Sequence, residues 1–308
     1  MSLNVSALST YTDETSGELI KKSIMEGNTS KLISVMPGIK SAKTLNRLAS
    51  TLYMQAGACG FTDSGSTLLD QVTLTVTDIK INENICLNTL EDYYTQVMMR
   101  PGSYNEQIPF ENIFADEKAE LISKEIDKMM WQGNTSTGSG NLSLVDGFLS
   151  YFTTNSGSTG ANVTKVDWAG ALTTAGTAIN DVDDLISNIP VDIVGVNDLT
   201  LFVSHTQFQY YLVDLRNKNY FHFSPDFNIE NGIIHPGSNV RIIPVTGLAG
   251  STSKVLTPAS NLYLGTDLLS DAESFKIWYS EDTDYVKFLS KFKMGVTAAW
   301  LSFVVYSK

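Results

Sequence analysis

The chain has 308 residues, a formal net charge of −12 at pH 7, 43% hydrophobic and 18% charged residues. This excludes a disordered or membrane-embedded chain and provides enough apolar material for a large core, burying about 75% of the surface the unfolded chain exposes. The acidic balance argues against a dedicated nucleic-acid binder, which carries a basic footprint. No run approaches ~18 consecutive apolar residues, so no membrane-spanning helix is read.

Residues 1–46 read as an arm with short helices. Leu19, Ile20 and Ile24 stand at helical spacing, with Gly27 as a stop. Thr29 or Ser30 is placed to cap a further turn running to Val35-Met36, which Pro37-Gly38 breaks. A third short helix is predicted over 42–53, with Lys40, Lys43 and Arg47 on or near a solvated face. No Lys or Arg occurs from 48 to 79. Val72, Leu74 and Val76 alternate with polar residues, the period of a half-buried strand. The apolar phase then slips to Ile79 and Ile81, which predicts a bulge or bend near Thr77-Asp78. A two-stranded loop bent out of the body fits this pattern. Alone in water such a ribbon is marginal and needs a partner surface.

The strongest helix is predicted over about 113–132. Ala115, Ala119, Ile122, Ile126 and Met129 form its stripe; Asp116, Glu117, Glu120, Lys124 and Asp127 lie off it, and Gly133 is the stop. Residues 134–141 read as a flexible loop. A second helix is predicted over 167–189, from Trp168 and Leu172 through Ile179, Val182 and Ile186, ended by Pro190. A strand follows over 199–203. Ser204 and Gln207 then form a capping box for a helix over 205–216. Short strands are clearest at 240–245 and 261–265. From Tyr285 to Trp300, Val286, Phe288, Phe292, Met294 and Val296 occupy even positions, and Lys287, Lys291 and Lys293 odd ones. Fully extended, this strand reaches roughly 50 Å and needs an elongated body to lie on.

Catalytic signals are scarce. His205, His222 and His235 are isolated, without the spacing of a metal site. Ser251 to Lys254 matches S-x-x-K by chance, with no helix around it. The acid clusters Glu91-Asp92 and Glu281, Asp282, Asp284 read as solvated turns. Cys59 and Cys86 read as two buried small hydrophobes, with a cross-strand pair as the sharper alternative. Neither catalytic residues, nor a cofactor, nor a metal is expected. The lysine face of the long strand either meets acidic neighbours and water or faces the phosphates of DNA.

The order of elements resembles that of tailed-bacteriophage major capsid proteins of the Hong Kong 97 fold. Trp131-Gln-Gly133 followed by Asp146-Gly147 resembles the family's turn after its spine helix, with Asn134 where an acid is usual. Residues 55–61 and 81–86 look closest to capsid proteins of crAss-like and related phages of Bacteroidetes. The resemblance implies an α+β chain: an N-terminal arm over 1–47, an E-loop over 48–78, and a P-domain over 79–200 around the spine helix. An A-domain follows over 201–274, then a P-domain return strand over 275–298 and an A-domain C-terminal segment over 299–308. It implies a non-enzymatic subunit whose partner is itself, in hexamers and pentamers closing an icosahedral shell. The E-loop residues Phe61, Leu68, Leu69, Val72 and Leu74 are expected to make assembly contacts. Packaged double-stranded DNA without sequence specificity, and portal, scaffold or decoration proteins, are the further partners; no membrane is. Assembly is expected in the host cytoplasm and the product in the virion, with the subunit neither secreted nor cleaved. Without Lys in 48–79, the shell is expected to be non-covalent. The alternatives are an encapsulin-like compartment of the same fold and, in a different class, a surface fibre or adhesin domain, which the two long amphipathic helices suit poorly.

Overall fold

The computed structural model describes residues 29–57, 59–60, 64–86, 110–157, 161–166, 177–218, 232–267, 275–280, 282–283 and 285–307. The elements begin with β1 (Ser34–Met36), β2 (Ala42–Thr51), β3 (Ser66–Thr75) and β4 (Thr77–Cys86). The long helix α1 (Phe110–Gln132) follows, then α2 (Phe148–Asn155), the short strands β5 (Ser156–Gly157), β6 (Ala161–Asn162) and β7 (Thr164–Val166), and α3 (Ala178–Ser187). Next come β8 (Leu199–Val203), α4 (His205–Asn217), β9 (Ile233–Ile234), β10 (Arg241–Pro244), β11 (Lys254–Pro258) and β12 (Leu262–Thr266). The chain closes with β13 (Phe275–Ser280), β14 (Tyr285–Ala298) and β15 (Val305–Ser307). No described helix is long and apolar enough to cross a membrane.

Strand β14 organises the first half of the fold. Its residues 285–290 lie between β13 and β4, and its residues 294–298 pair with β12, which carries β1 in parallel. Phe288, Phe292 and Met294 are buried, as the alternation predicts. They share a core with Ile122, Ile126, Met129, Met130 and Trp131 of α1. Ile122, Ile126 and Met129 of the predicted stripe thus lie on the buried face of α1, and Lys118 of α1 pairs with Glu83 on the same side of the sheet at 2.5 Å.

The second sheet runs β7-β15-β11-β8-β10-β9. It is covered on both faces, so β8 is buried at every residue and reads as a continuous apolar run. Phe202, Val255, Val304 and Tyr306 join the α1 core. Leu201, Val203, Leu256 and Val305 join a second core with α3 and α4, built on Val182, Leu185, Phe208 and Tyr211. Strand period two thus divides one sheet between two cores. Ser204 caps α4, its Oγ accepting from the Gln207 N–H.

The structure departs from several of these expectations. The helix predicted over 42–53 is strand β2, paired along its length with β3; ten cross-strand pairs outweigh a weak local preference. Within the span read as an arm, Ile33 joins the first core and β1 joins a sheet, and residues 1–28 lie outside the described residues. The turn at Thr29 gives way to β1 after Ile33. Strand β12 belongs to the sheet of β14 and α3 packs in the second core, so both cores are made of segments distant in sequence. The 134–141 loop is a hydrogen-bonded turn, Asn134 Oδ1 accepting from the Ser136 and Thr137 N–H groups and Asp146 Oδ1 from the Thr135 N–H. Of the helix predicted over 167–189, residues 167–176 lie outside the described residues and α3 occupies 178–187.

Candidate assembly surface

β2 and β3 form a two-stranded ribbon that bends at Val76 into β4, one residue before the predicted break. The bend moves the chain from the ribbon into the β14 sheet, where Thr77 stands opposite Met294. At the base of the ribbon, Leu74, Val76 and Ile39 form a small buried cluster. Gly295 lies where a Cβ would collide with the Thr75 carbonyl, so the ribbon sits directly on β14. Arg47 fastens it: Nη1 donates to the Ala299 carbonyl at 2.7 Å and Nη2 pairs with Asp70. The Asp70 carboxyl is held below its usual range by the Gln71 N–H first and by Arg47 next.

Beyond Arg47 the ribbon leaves the body. Leu48 stands opposite Leu69 and Ala49 opposite Leu68, so these two pairs point to opposite faces. Leu48 is 62% exposed, Leu68 63%, Leu69 69% and Met54 93%. Their neighbours are polar: Asn46 accepts from Gln71 Nε2 at 3.0 Å, and Ser50 Oγ lies 3.3 Å from Thr67 Oγ1. An apolar belt on both faces of an otherwise polar ribbon lacks a core within its own chain.

Of the residues expected to make assembly contacts, Leu68 and Leu69 are exposed on this belt, and Val72 is half-buried nearer the base. Leu74 is fully buried in its own chain, which removes it from any surface; it anchors the ribbon instead. Phe61 lies outside the described residues. Leu48, Leu52 and Met54 were missed because 42–53 reads as a helix; Arg47 was missed because Ala299 is 252 residues away. Cys59 is exposed, contrary to the buried reading; it belongs to the loop beyond β2, away from either core.

The spine helix ends in a keyed junction. Trp131 Nε1 donates to Thr29 Oγ1 at 2.9 Å, and its ring lies 5.2 Å from Phe148 and 5.1 Å from Phe202. Asp127, expected on the solvated side, is buried and accepts from the Gly247 N–H at 2.8 Å. Burial raises its pKa, and hydrogen bonds from Thr29 and Gly247 oppose the shift. Gly147 N–H donates to the Gly133 carbonyl at 2.9 Å, and a Cβ on Gly133 would strike the carbonyls of Val145 and Met129. Gly133 is thus selected by close approach; its φ is not positive.

The remaining chemistry is internal. His235 Nδ1 lies 2.8 Å from Tyr211 Oη, and Nε2 lies 2.8 Å from Asp183 Oδ1, which ties the turn before β10 to both helices of the second core. Burial lowers the His235 pKa against the opposing pull of Asp183. Lys254 of the S-x-x-K stretch is buried in β11, 3.6 Å from Asp181, and burial pushes its pKa down to about 8. His205 is exposed, while His222, Glu91-Asp92, Glu281 and Asp284 lie outside the described residues. Among the described residues, no group of His, Cys, Asp and Glu is placed to hold a metal.

No family model matches the sequence, and no curated protein matches it. Solved structures do. A chain of the satellite phage P4 procapsid including size determination (Sid) protein is similar at TM-score 0.59 and 14% identity, over 98% of this chain and 94% of that one. The capsid of Myoviridae phage XM1 is similar at TM-score 0.58 and 12% identity, over 92% and 90%. A virus-like particle from Pyrococcus furiosus is similar at TM-score 0.53 and 11% identity, over 99% and 100%. At such identities the likeness speaks for architecture: this chain has the α+β fold of the Hong Kong 97-type capsid subunits.

Proposed function

We propose that this chain is the major capsid protein of a tailed bacteriophage, assembling through hexamers and pentamers into an icosahedral shell around double-stranded DNA. The observation that carries the reading is the ribbon, whose apolar belt around Leu48, Leu68 and Leu69 is exposed on both faces. Such a surface is a hazard on a monomer and an asset on a subunit that is always surrounded by copies of itself. The shared fold with capsid structures supports it. In this reading β2–β3 is the E-loop, the β14 sheet with α1 is the P-domain, and the second sheet with α3 and α4 is the A-domain. The subunit is structural and not an enzyme. It assembles in the host cytoplasm, with portal, scaffold or decoration proteins as further partners, and ends in the virion. The resemblance of residues 55–61 and 81–86 supports a lineage near the crAss-like and related phages of Bacteroidetes.

Negative-stain imaging of the purified full-length chain tests the shell, and nuclease treatment of particles from infected cells tests the contents. Closed shells of uniform size protecting double-stranded DNA are expected; a chain that stays monomeric or trimeric overturns the reading. A second reading, a closed compartment holding protein cargo, is favoured by the end-to-end likeness to the virus-like particle. Shells carrying protein and no nucleic acid would establish it.

A further inference from the structure

We propose that Lys254 and Asp181 form a covalent amide inside the second core of a single chain, an internal modification that joins β11 to α3. The inference is independent of the shell reading and is open to test on soluble chain and particles alike.

Register aims the two groups at each other. Lys254 stands opposite Ser307 and Leu256 opposite Val305, so these four side chains share one side of the sheet. Leu256 and Val305 pack there with Ile179 and Val182 of α3. Asp181 enters the same pocket from α3, and its Oδ2 lies 3.6 Å from Lys254 Nζ. The Lys254 side chain is 2% exposed and that of Asp181 12%. A modest rotation of the Asp181 carboxyl brings Cγ to Nζ at the ~3–3.5 Å of a near-attack geometry.

The surroundings favour the neutral reactants. Burial raises the Asp181 pKa against the pull of Lys254, and Asp184 and Asp214 add to the rise. Burial lowers the Lys254 pKa to about 8 against the pull of Asp181. Amide formation needs an un-ionised acid and an unprotonated amine, and the pocket shifts both groups that way. An ion pair held here carries a desolvation cost that an uncharged amide removes.

Two further groups complete the site. Asp214 is 1% exposed, and its Oδ2 accepts from the Ala178 N–H at 2.7 Å at the start of α3. Its charge reaches Asp181, which makes it the proton relay of the pocket. Ser307 Oγ, beside Lys254, is buried and has no hydrogen-bond partner among the described residues. The oxygen of an amide at Lys254 would accept from it. The step balances. Nζ attacks Cγ of the protonated carboxyl, and Asp214 takes the proton that the nitrogen sheds and delivers it to the departing hydroxyl. One C–N bond forms, one C–O bond breaks and one water leaves, with no oxidant or reductant. The product closes a covalent ring containing β8, α4, β9 and β10.

The test is the intact mass of the purified full-length chain in denaturant, followed by tryptic mapping. The native chain is expected to be lighter by one water than the sequence read from its determined N-terminus. Trypsin does not cut after an acylated lysine, so a branched peptide joining 166–216 to 242–276 is expected. Lys254→Arg keeps the positive charge but stays protonated and cannot attack; it is expected at full mass, without the branched peptide. Asp214→Asn still accepts from Ala178 but relays no proton. Its water loss, followed over time after synthesis, is expected to be slower by about a hundredfold. A native chain at full mass overturns the proposal. So does a Lys254→Arg chain that still loses water, which would place the loss elsewhere, as in a succinimide at Asp146-Gly147. An Asp214→Asn chain that converts as fast as the native one overturns the relay assigned to Asp214.

Discussion

The guanidinium of Arg47 stacks over the indole of Trp300, 4.8 Å from the ring centre, and joins the ribbon to the segment just beyond β14, the longest strand among the described residues. The same side chain donates to the Ala299 carbonyl and pairs with Asp70 across the ribbon. A planar, forked cation is required to do all three; the point charge of a lysine is not equivalent. Arg47→Lys is therefore expected to loosen the ribbon without unfolding the body. Hydrogen exchange should accelerate at amides of 42–51 and 66–75 and stay unchanged in β8 and β11. Equal protection in the variant would mean that Leu74 and Val76 alone hold the ribbon.

Gly247 lies against α1 where a Cβ would strike the Asp127 carbonyl and the Trp131 ring. Backbone on one side and a fully buried indole on the other leave no room to yield. Gly247→Ala is expected to cost about 1–3 kcal/mol, the usual range for overpacking a core. Gly57→Ala, where a Cβ would meet nothing, is the control and should leave thermal unfolding unchanged.

Neutral His235 uses both ring nitrogens, donating from Nε2 to Asp183 and accepting at Nδ1 from the Tyr211 hydroxyl. Protonation would turn the acceptor into a donor facing a hydroxyl. Because the folded-state pKa is lowered from 6.5, the unfolded chain binds more protons in the window below 6.5, and stability falls as pH falls through it. Unfolding followed between pH 7 and 5 should show this loss, and His235→Gln should flatten the slope. A slope of the opposite sign would contradict the assignment.

The segment from 48 to 79 contains no lysine to donate to an inter-subunit amide. Assembled particles boiled in denaturant are expected to run as a single band near 33.7 kDa. A ladder of multiples would show covalent linkage through another part of the chain.

Elements whose partners are regular were legible in the sequence. The alternation in β14 is visible because one face is buried by α1, and the stripe of α1 is visible for the same reason. Leu45, Leu48 and Leu52 stand three and four apart, which reads as a helix; pairing with residues 66–75 decides otherwise, and no local window contains that information. Asp127 reads as a surface acid because its partner, the Gly247 N–H, is 120 residues away. Strand β12 joins the sheet of β14 from a distant part of the chain, a crossing that no local pattern announces. Ile33 near the end of the arm span and Leu74 at the base of the ribbon are buried in their own chain, while Leu48, Leu68 and Leu69 of the outer ribbon are exposed.

The central claim is that the outer ribbon is completed by sister molecules. The most direct measurement is the concentration dependence of particle mass by light scattering for the native chain and for Leu48→Glu with Leu69→Glu. Both side chains are solvent-exposed in the single chain, so the account predicts unchanged Tm in the variant, particles of shell size for the native chain, and none for the variant. A variant that assembles as well as the native chain would contradict it.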